Sequence, residues 1–155
     1  MNLIHYFDAG VAGYPQSPCL ADWSGQAPAL NYAEAGGKTC QIARALHADG
    51  FSPGFHGAVL SGNTAAAFLA LLGILRAQGV WLPVNARNNP LSNIEFLQDM
   101  DCDVLFYQAR YADQVAEIRA SVPRIRRYVC LDAPHADDVS MTEWIAGQPA
   151  DMFAP

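Results

Sequence analysis

The chain has 155 residues, 52% of them hydrophobic and 15% charged, which leaves room for one domain with a packed core. Nine basic against fifteen acidic residues give a net charge of −6, so no general attraction to a phosphate backbone exists and nucleic acid is not an expected partner. No stretch approaches the roughly 20 apolar residues of a membrane span, and the first residues carry no basic leader, so a cytoplasmic chain without a transmembrane segment is expected.

Residues 1–17 are rich in loop formers, and Leu3 to Phe7 can open a short helix. Cys19 to Trp23 and Ala29-Leu30 flank the turn-prone Ser24-Gly25-Gln26, which predicts an antiparallel hairpin. Asn31 followed by Glu34 is a capping box, and Ile42, Ala45 and Leu46 supply the inward stripe of the helix it starts, with Gly36 and Gly37 weakening the first turns. Asp49 to Gly54 is a turn that delivers the chain to a short apolar strand, Gly57 to Leu60.

The stretch that follows organises the rest. Ser61-Gly62-Asn63 is turn chemistry with Asn63 as the expected N-cap, and Thr64 to Gln78 is apolar nearly all round, so this helix needs cover on more than one side. Gly79 is the expected C′ stop, and Val80 to Val84 returns as a second buried strand, parallel to the first because a helical crossover joins them. Asn85 to Pro90 is a loop, and Ser92 with Glu95 predicts another capping box for a helix through about Asp99. Val104 to Tyr107 is a strand, Tyr111 to Ser121 a helix with Val115, Ala116 and Ile118 inward, and Tyr128 to Leu131 a strand. Ser140 with Glu143 opens a last short helix to about Ala146. The expected fold class is α/β, a doubly wound, mostly parallel sheet of about four parallel strands plus the N-terminal hairpin. Residues 18–147 form a single subdomain in this reading, and 148–155 a linker.

Local motifs that carry chemistry are broken ones. Gly37-Lys38-Thr39 resembles the end of a phosphate-binding loop, but Tyr32 stands where its first Gly belongs and the residues lie inside a helix. Asp99, Asp101 and Asp103 alternate as calcium ligands do, yet Val104 and Arg110 occupy the positions that require Gly and Glu. His5, His47, His56 and His135 are scattered singly, no GxGxxG follows the first parallel strand, and Arg124, Arg126 and Arg127 read as a charged edge. Cys19, Cys40, Cys102 and Cys130 form no CxxC pair and read as buried thiols.

Taken together, several stretches resemble the N-terminal region of the AMP-forming acyl-CoA synthetases, long-chain fatty acid–CoA ligase-like members of the adenylate-forming superfamily that also holds luciferases and peptide-synthetase adenylation domains. Pro18 to Trp23 resembles the family's first strand, Leu30-Asn31-Tyr32-Ala33-Glu34 its Leu-Thr-Tyr-Ala-Glu helix start, and Val59 to Asn63 its strand ending in Asn. The densest match, Leu71 to Arg87, is similar to the family's helix, Ala-Gly turn and Pro-Leu-Asn-Pro-Arg strand exit, with Asn31 in place of the usual Thr and Gln78 in place of the usual Ala.

The resemblance implies the first N-terminal subdomain of the acyl-CoA synthetase/luciferase-like fold. In the complete enzyme it implies ATP-dependent adenylation of a carboxylate, then thioester formation on coenzyme A, with ATP, Mg2+ and CoA as cofactors. The family's Ser/Thr/Gly-rich phosphate loop, its Tyr-Gly-x-Thr-Glu motif, its ribose-binding Asp and its C-terminal Lys have no counterpart between Met1 and Pro155. The chain is therefore expected to hold no catalytic residue and no cofactor of its own, and to be inert alone. Asn85 and Arg87 at the strand exit are the candidate substrate-binding residues, set against ordinary turn and surface roles. The expected partners are the missing C-terminal part of the same polypeptide and, through an exposed apolar face, a second copy of this chain. The competing reading is a self-contained flavodoxin-like or Rossmann-like module holding a small ligand near Ser61-Gly62-Asn63 and Asn85.

Overall fold

The computed structural model describes residues 3–21 and 29–153. An opening helix, α1 (Leu3–Gly13), is longer than the short turn of helix expected and seats Ile4 and Phe7 in the core. Strands β1 (Pro18–Leu20) and β2 (Leu30–Asn31) pair antiparallel, as a hairpin requires, while its Ser24-Gly25-Gln26 turn lies outside the described residues. Helix α2 (Tyr32–Ala48) starts at the capping box read from sequence: Asn31 accepts from the Glu34 amide at 2.8 Å and Glu34 accepts from the Asn31 amide at 2.9 Å.

The main sheet contains β3 (His56–Leu60), β4 (Val80–Pro83), β5 (Val104–Tyr107), β6 (Arg127–Cys130) and β7 (Val139–Ser140). They lie in the order β4-β3-β5-β6-β7 and every pairing is parallel. The fifth strand, β7, is only two residues long, too short for a periodic signal, which is why sequence suggested about four. Helices α3 (Ala65–Arg76), α4 (Pro90–Asp99), α5 (Ala112–Ser121) and α6 (Met141–Ile145) fill the connections or follow them.

Alternation along each strand divides the core in two. Val59, Val104, Phe106 and Val129 face a cluster built with α1, α2, α3 and α6, whereas Ala58, Leu60, Leu105, Tyr107, Tyr128 and Cys130 face a second cluster under α4 and α5. Strands apolar on both faces are what a sheet covered by helices on both sides demands. Helices α2 and α3 meet closely because residue 73 is Gly; a Cβ there would lie 2.2 Å from Cγ2 of Ile42.

The ends of the helices differ from expectation in instructive ways. Thr64, not Asn63, caps α3, its Oγ1 accepting from the Ala67 amide at 3.1 Å. Asn89, not Ser92, caps α4, because Pro90 takes the first helical position where its missing N–H costs nothing. The C′ residue of α3 is Gln78 at φ 61, not Gly79: the Gly79 amide donates to Ile74 O at 2.9 Å and the Gln78 amide to Leu75 O at 3.1 Å, the paired bonds of a Schellman turn. Gly50 after α2 and Asp101 after α4 take the same left-handed position, with the same two bonds each. Ala116, expected inward on α5, is exposed, and the inward pair is Val115 and Ile118.

Two further corrections concern cover. Strand β4 is the sheet edge rather than a buried strand, with Val80 and Trp81 exposed and Leu82 alone inside. Residues 148–153, expected to trail away as a linker, instead lie along α2. Gln41 donates to Gln148 O at 2.9 Å, Arg44 to Pro149 O at 2.6 Å and to Asp151 O at 2.8 Å, and the Phe153 amide donates to Cys40 Sγ.

Candidate functional site

At the carboxyl ends of β3 and β4 the surface opens into a cavity of about 710 Å³. Its floor is apolar: Val59 from β3, Phe68 and Leu71 from α3, Trp81 and Pro83 from β4, and Leu20 from β1. Its rim is polar and neutral, formed by the Ser61-Gly62-Asn63-Thr64 turn and by Asn85. The volume falls within the range typical of small-ligand pockets. The cavity exists because α3 begins with small residues, Ala65 to Ala67, beside an edge strand with no neighbour to cover it.

Asn85 lies on the wall and holds the strand exit. Its Oδ1 accepts from the Arg87 amide at 3.0 Å, and its carbonyl accepts from Asn88 N at 3.0 Å and from Nδ2 of the buried Asn93 at 3.1 Å. Arg87 is exposed, outside the cavity wall, and its side chain makes no ion pair among the described residues. The two residues therefore share a turn without converging on one point. Sequence reasoning did not find Phe68, Trp81 and Leu20, which line the cavity, because each reads as ordinary core in a linear pattern.

Beside the cavity β3 and β5 end next to each other, and their connections pass to opposite faces of the sheet. Gln108 Oε1 accepts from the Gly62 amide at 2.9 Å, and Asp132 Oδ1 accepts from the Ala109 amide at 2.8 Å, so these loops are tied to one another. Arg110 stacks on Tyr111, 4.9 Å from the ring centroid, with its guanidinium against Gly62.

Among the described residues, the cavity lining holds no Lys or Arg, and there is no group of three His, Cys, Asp or Glu able to bind a metal. A triphosphate with its Mg2+ needs cationic and backbone N–H donors, so the described residues of this wall do not fit that group. Several other ionisable groups tie elements of the scaffold together. Arg127 pairs with Asp49 at 2.7 Å, Trp144 donates to the same carboxylate at 3.0 Å, Arg124 pairs with Asp103 at 3.2 Å, and Arg126 lies over Phe51. Asp138 Oδ2 accepts from the Tyr107 hydroxyl at 2.7 Å, and Arg119 Nη2 donates to both oxygens of the same carboxylate, at 2.8 and 2.6 Å. Burial, and then Asp138, raises the Tyr107 hydroxyl pKa; burial raises Tyr128 to about 12 and the Cys102 thiol to about 12. Burial likewise raises Cys130 and the half-buried Cys19, so none of these thiols is an activated nucleophile.

A parallel sheet with helices on both faces, and an edge strand beside an apolar cavity at the carboxyl ends of the strands, define an α/β layer. The chain belongs to the AMP-binding enzyme family, whose model matches residues 7–152. It is 36% identical over 98 residues to the AMB antimetabolite synthetase AmbE of Pseudomonas aeruginosa, a match covering 63% of this chain and 4% of that protein. It is 25% identical over 142 residues to 3-hydroxybenzoate--CoA ligase of an Aromatoleum species, covering 90% of this chain and 27% of that one. A crystal structure of the anthranilate CoA ligase AuaEII superposes with a TM-score of 0.90 at 17% identity, covering all of this chain and 29% of that one; at such identity the likeness is one of fold. The chain thus spans under a third of each of these proteins. Among the described residues no helix is long and apolar enough to cross a membrane.

Proposed function

We propose that these residues are the first N-terminal subdomain of an acyl-CoA synthetase-like ligase. In the complete polypeptide, a carboxylate attacks the α-phosphate of ATP to give an acyl adenylate and pyrophosphate, and the coenzyme A thiol then displaces AMP. The observation that carries the reading is the family match over residues 7–152 combined with a chain under a third the length of the ligases it resembles. In this reading ATP, Mg2+ and CoA are held by later parts of the polypeptide, and this chain alone is inert. Its cavity forms one wall of the carboxylate side and the surface on which a second α/β subdomain packs. Asn85 holds that wall, and Arg87 contacts either a substrate anion or the second subdomain. Residues 18–147 are the subdomain body and 148–155 its connection to the remainder. Four free cysteines suit a reducing compartment, and the cytoplasm is the proposed location.

The test is the reading frame beyond Pro155. It should run within about 10 to 20 residues into a Ser/Thr/Gly-rich loop with a Lys, by the usual length of connections. Expressing that longer polypeptide should give carboxylate-dependent exchange of pyrophosphate into ATP, while the 155 residues give none. A frame that stops, or no exchange with any fatty or aromatic acid, sinks the ligase reading. The cavity at Ser61–Thr64 and Asn85 supports a second reading, a self-contained module that binds a small apolar ligand there. Binding by the 155-residue chain with a dissociation constant below about 10 μM, roughly −7 kcal/mol, would favour it.

A further inference from the structure

The segment 148–153 is gripped in a way its own sequence does not explain. Of the bonds that hold it, most go to its backbone: Gln41 to the carbonyl of Gln148, Arg44 to those of Pro149 and Asp151, and Arg76 Nη1 to that of Phe153 at 3.2 Å. Arg44 Nη2 adds the Asp151 carboxylate at 3.1 Å, and its guanidinium lies 5.2 Å from the Phe153 ring centroid. Such a grip fixes where the chain runs, and the Asp151 and Phe153 side chains reinforce it.

Arg76 is the deepest part of it. It is 1% exposed at the C-terminal end of α3, pairs with Asp8 of α1, donates from Nε to Thr39 Oγ1 of α2 at 3.0 Å, and reaches the segment through Phe153. One buried cation therefore joins three helices to the place where the described chain ends. A guanidinium suits this role because its planar fork offers donors in several directions at once. That place lies at the end of α3 away from the cavity, a helix length of about 18 Å. An extended run of about six residues would cover the same distance back to the cavity end. Where such a run arrives depends on where it starts.

We infer that Arg44 and Arg76 are positioning residues for the reaction of the complete polypeptide. By clamping residues 148–153 they set the starting point of the segment that follows, and hence where its nucleotide-binding groups stand relative to this wall. The inference rests on the ligase reading above. Misplacement by about 1 Å far from the chemistry can lower a rate a hundredfold.

The experiment uses the longer polypeptide, with benzoate and octanoate as carboxylates, and measures pyrophosphate exchange alongside the thermal midpoint. Arg44→Ala should lower kcat/KM for ATP about ten- to hundredfold with the midpoint within a few degrees of the unaltered protein, and Arg44→Lys, which keeps the charge but loses the planar fork, should recover only a small part of the loss. Gln41→Ala, which removes one bond only, should shift in the same direction by less. Arg44→Ala activity within about twofold of the unaltered enzyme, or a loss accounted for wholly by a smaller folded fraction, overturns the inference while leaving the ligase reading intact. Absence of exchange in the unaltered longer polypeptide is the separate result that removes the ligase reading and this inference with it.

Discussion

The two ends of the central helix α3 are built from similar residues and treated in opposite ways. From Leu69 to Ala77 the helix is almost entirely buried, packed on α2 through Gly73 and Ile42 and closed below by Arg76, Asp8 and the 148–153 segment. From Ala65 to Phe68 it is half-covered at best, and with Trp81 and Leu20 it walls an open cavity. An apolar helix needs cover on all sides, and the described residues supply it more fully at one end than at the other. In the proposed reading the closed end is where the subdomain packs on itself, and the open end is where a second subdomain packs.

Breaking the closed end should have the largest effect. Asp8→Asn leaves the buried Arg76 guanidinium without its carboxylate, and should lower the unfolding free energy by about 3 kcal/mol in urea titration. A loss below about 1 kcal/mol would mean that Thr39 and Phe153 suffice. Gly73→Ala drives a methyl into Ile42 and should cost about 2 kcal/mol. The double variant with Ile42→Ala should show a favourable coupling, whereas simple additivity would mean that the two helices slide apart freely.

Gln78→Gly sharpens the picture by a smaller amount. Removing a Cβ from a left-handed C′ residue should raise stability by about 1 kcal/mol, seen as a higher thermal midpoint. At the open end the expected stability changes are smallest and the association changes largest. The isolated chain should form a dimer through this face at micromolar concentration and bind a hydrophobic dye. Phe68→Ser should abolish both while altering stability by about 1 kcal/mol or less, since Phe68 is already exposed. Sedimentation showing only monomer for the unaltered chain, with no dye signal, would show that the open face is tolerated in water. Arg87→Ala should stay within about 0.5 kcal/mol of the unaltered chain, because its exposed side chain makes no ion pair here.

Local rules were legible where they act over three or four residues. The capping boxes at Asn31–Glu34 and Ser140–Glu143 are both present, as is each long apolar strand. They failed where neighbours compete for one role. Asn63 and Thr64 can each cap a helix, Ser92 lost to Asn89 because Pro90 pre-sets the first turn, and Gly79 lost the left-handed position to Gln78 because the pair of Schellman bonds ended the helix one residue earlier. The cavity was only half legible: its polar rim follows from turn chemistry, but its apolar floor depends on β4 being an edge.

By itself the sequence determined the α/β class and the order of the longer strands and helices, because periodicity and capping are written in adjacent residues, and the resemblance carried by Leu71 to Arg87 pointed to the family. Tertiary structure alone decided that β4 lies at the edge, that a two-residue β7 closes the other side, and that residues 148–153 are clamped by Arg44 and Arg76. These depend on which strands become neighbours and which buried cation finds a carbonyl 77 residues away, and no local pattern encodes a meeting at that separation.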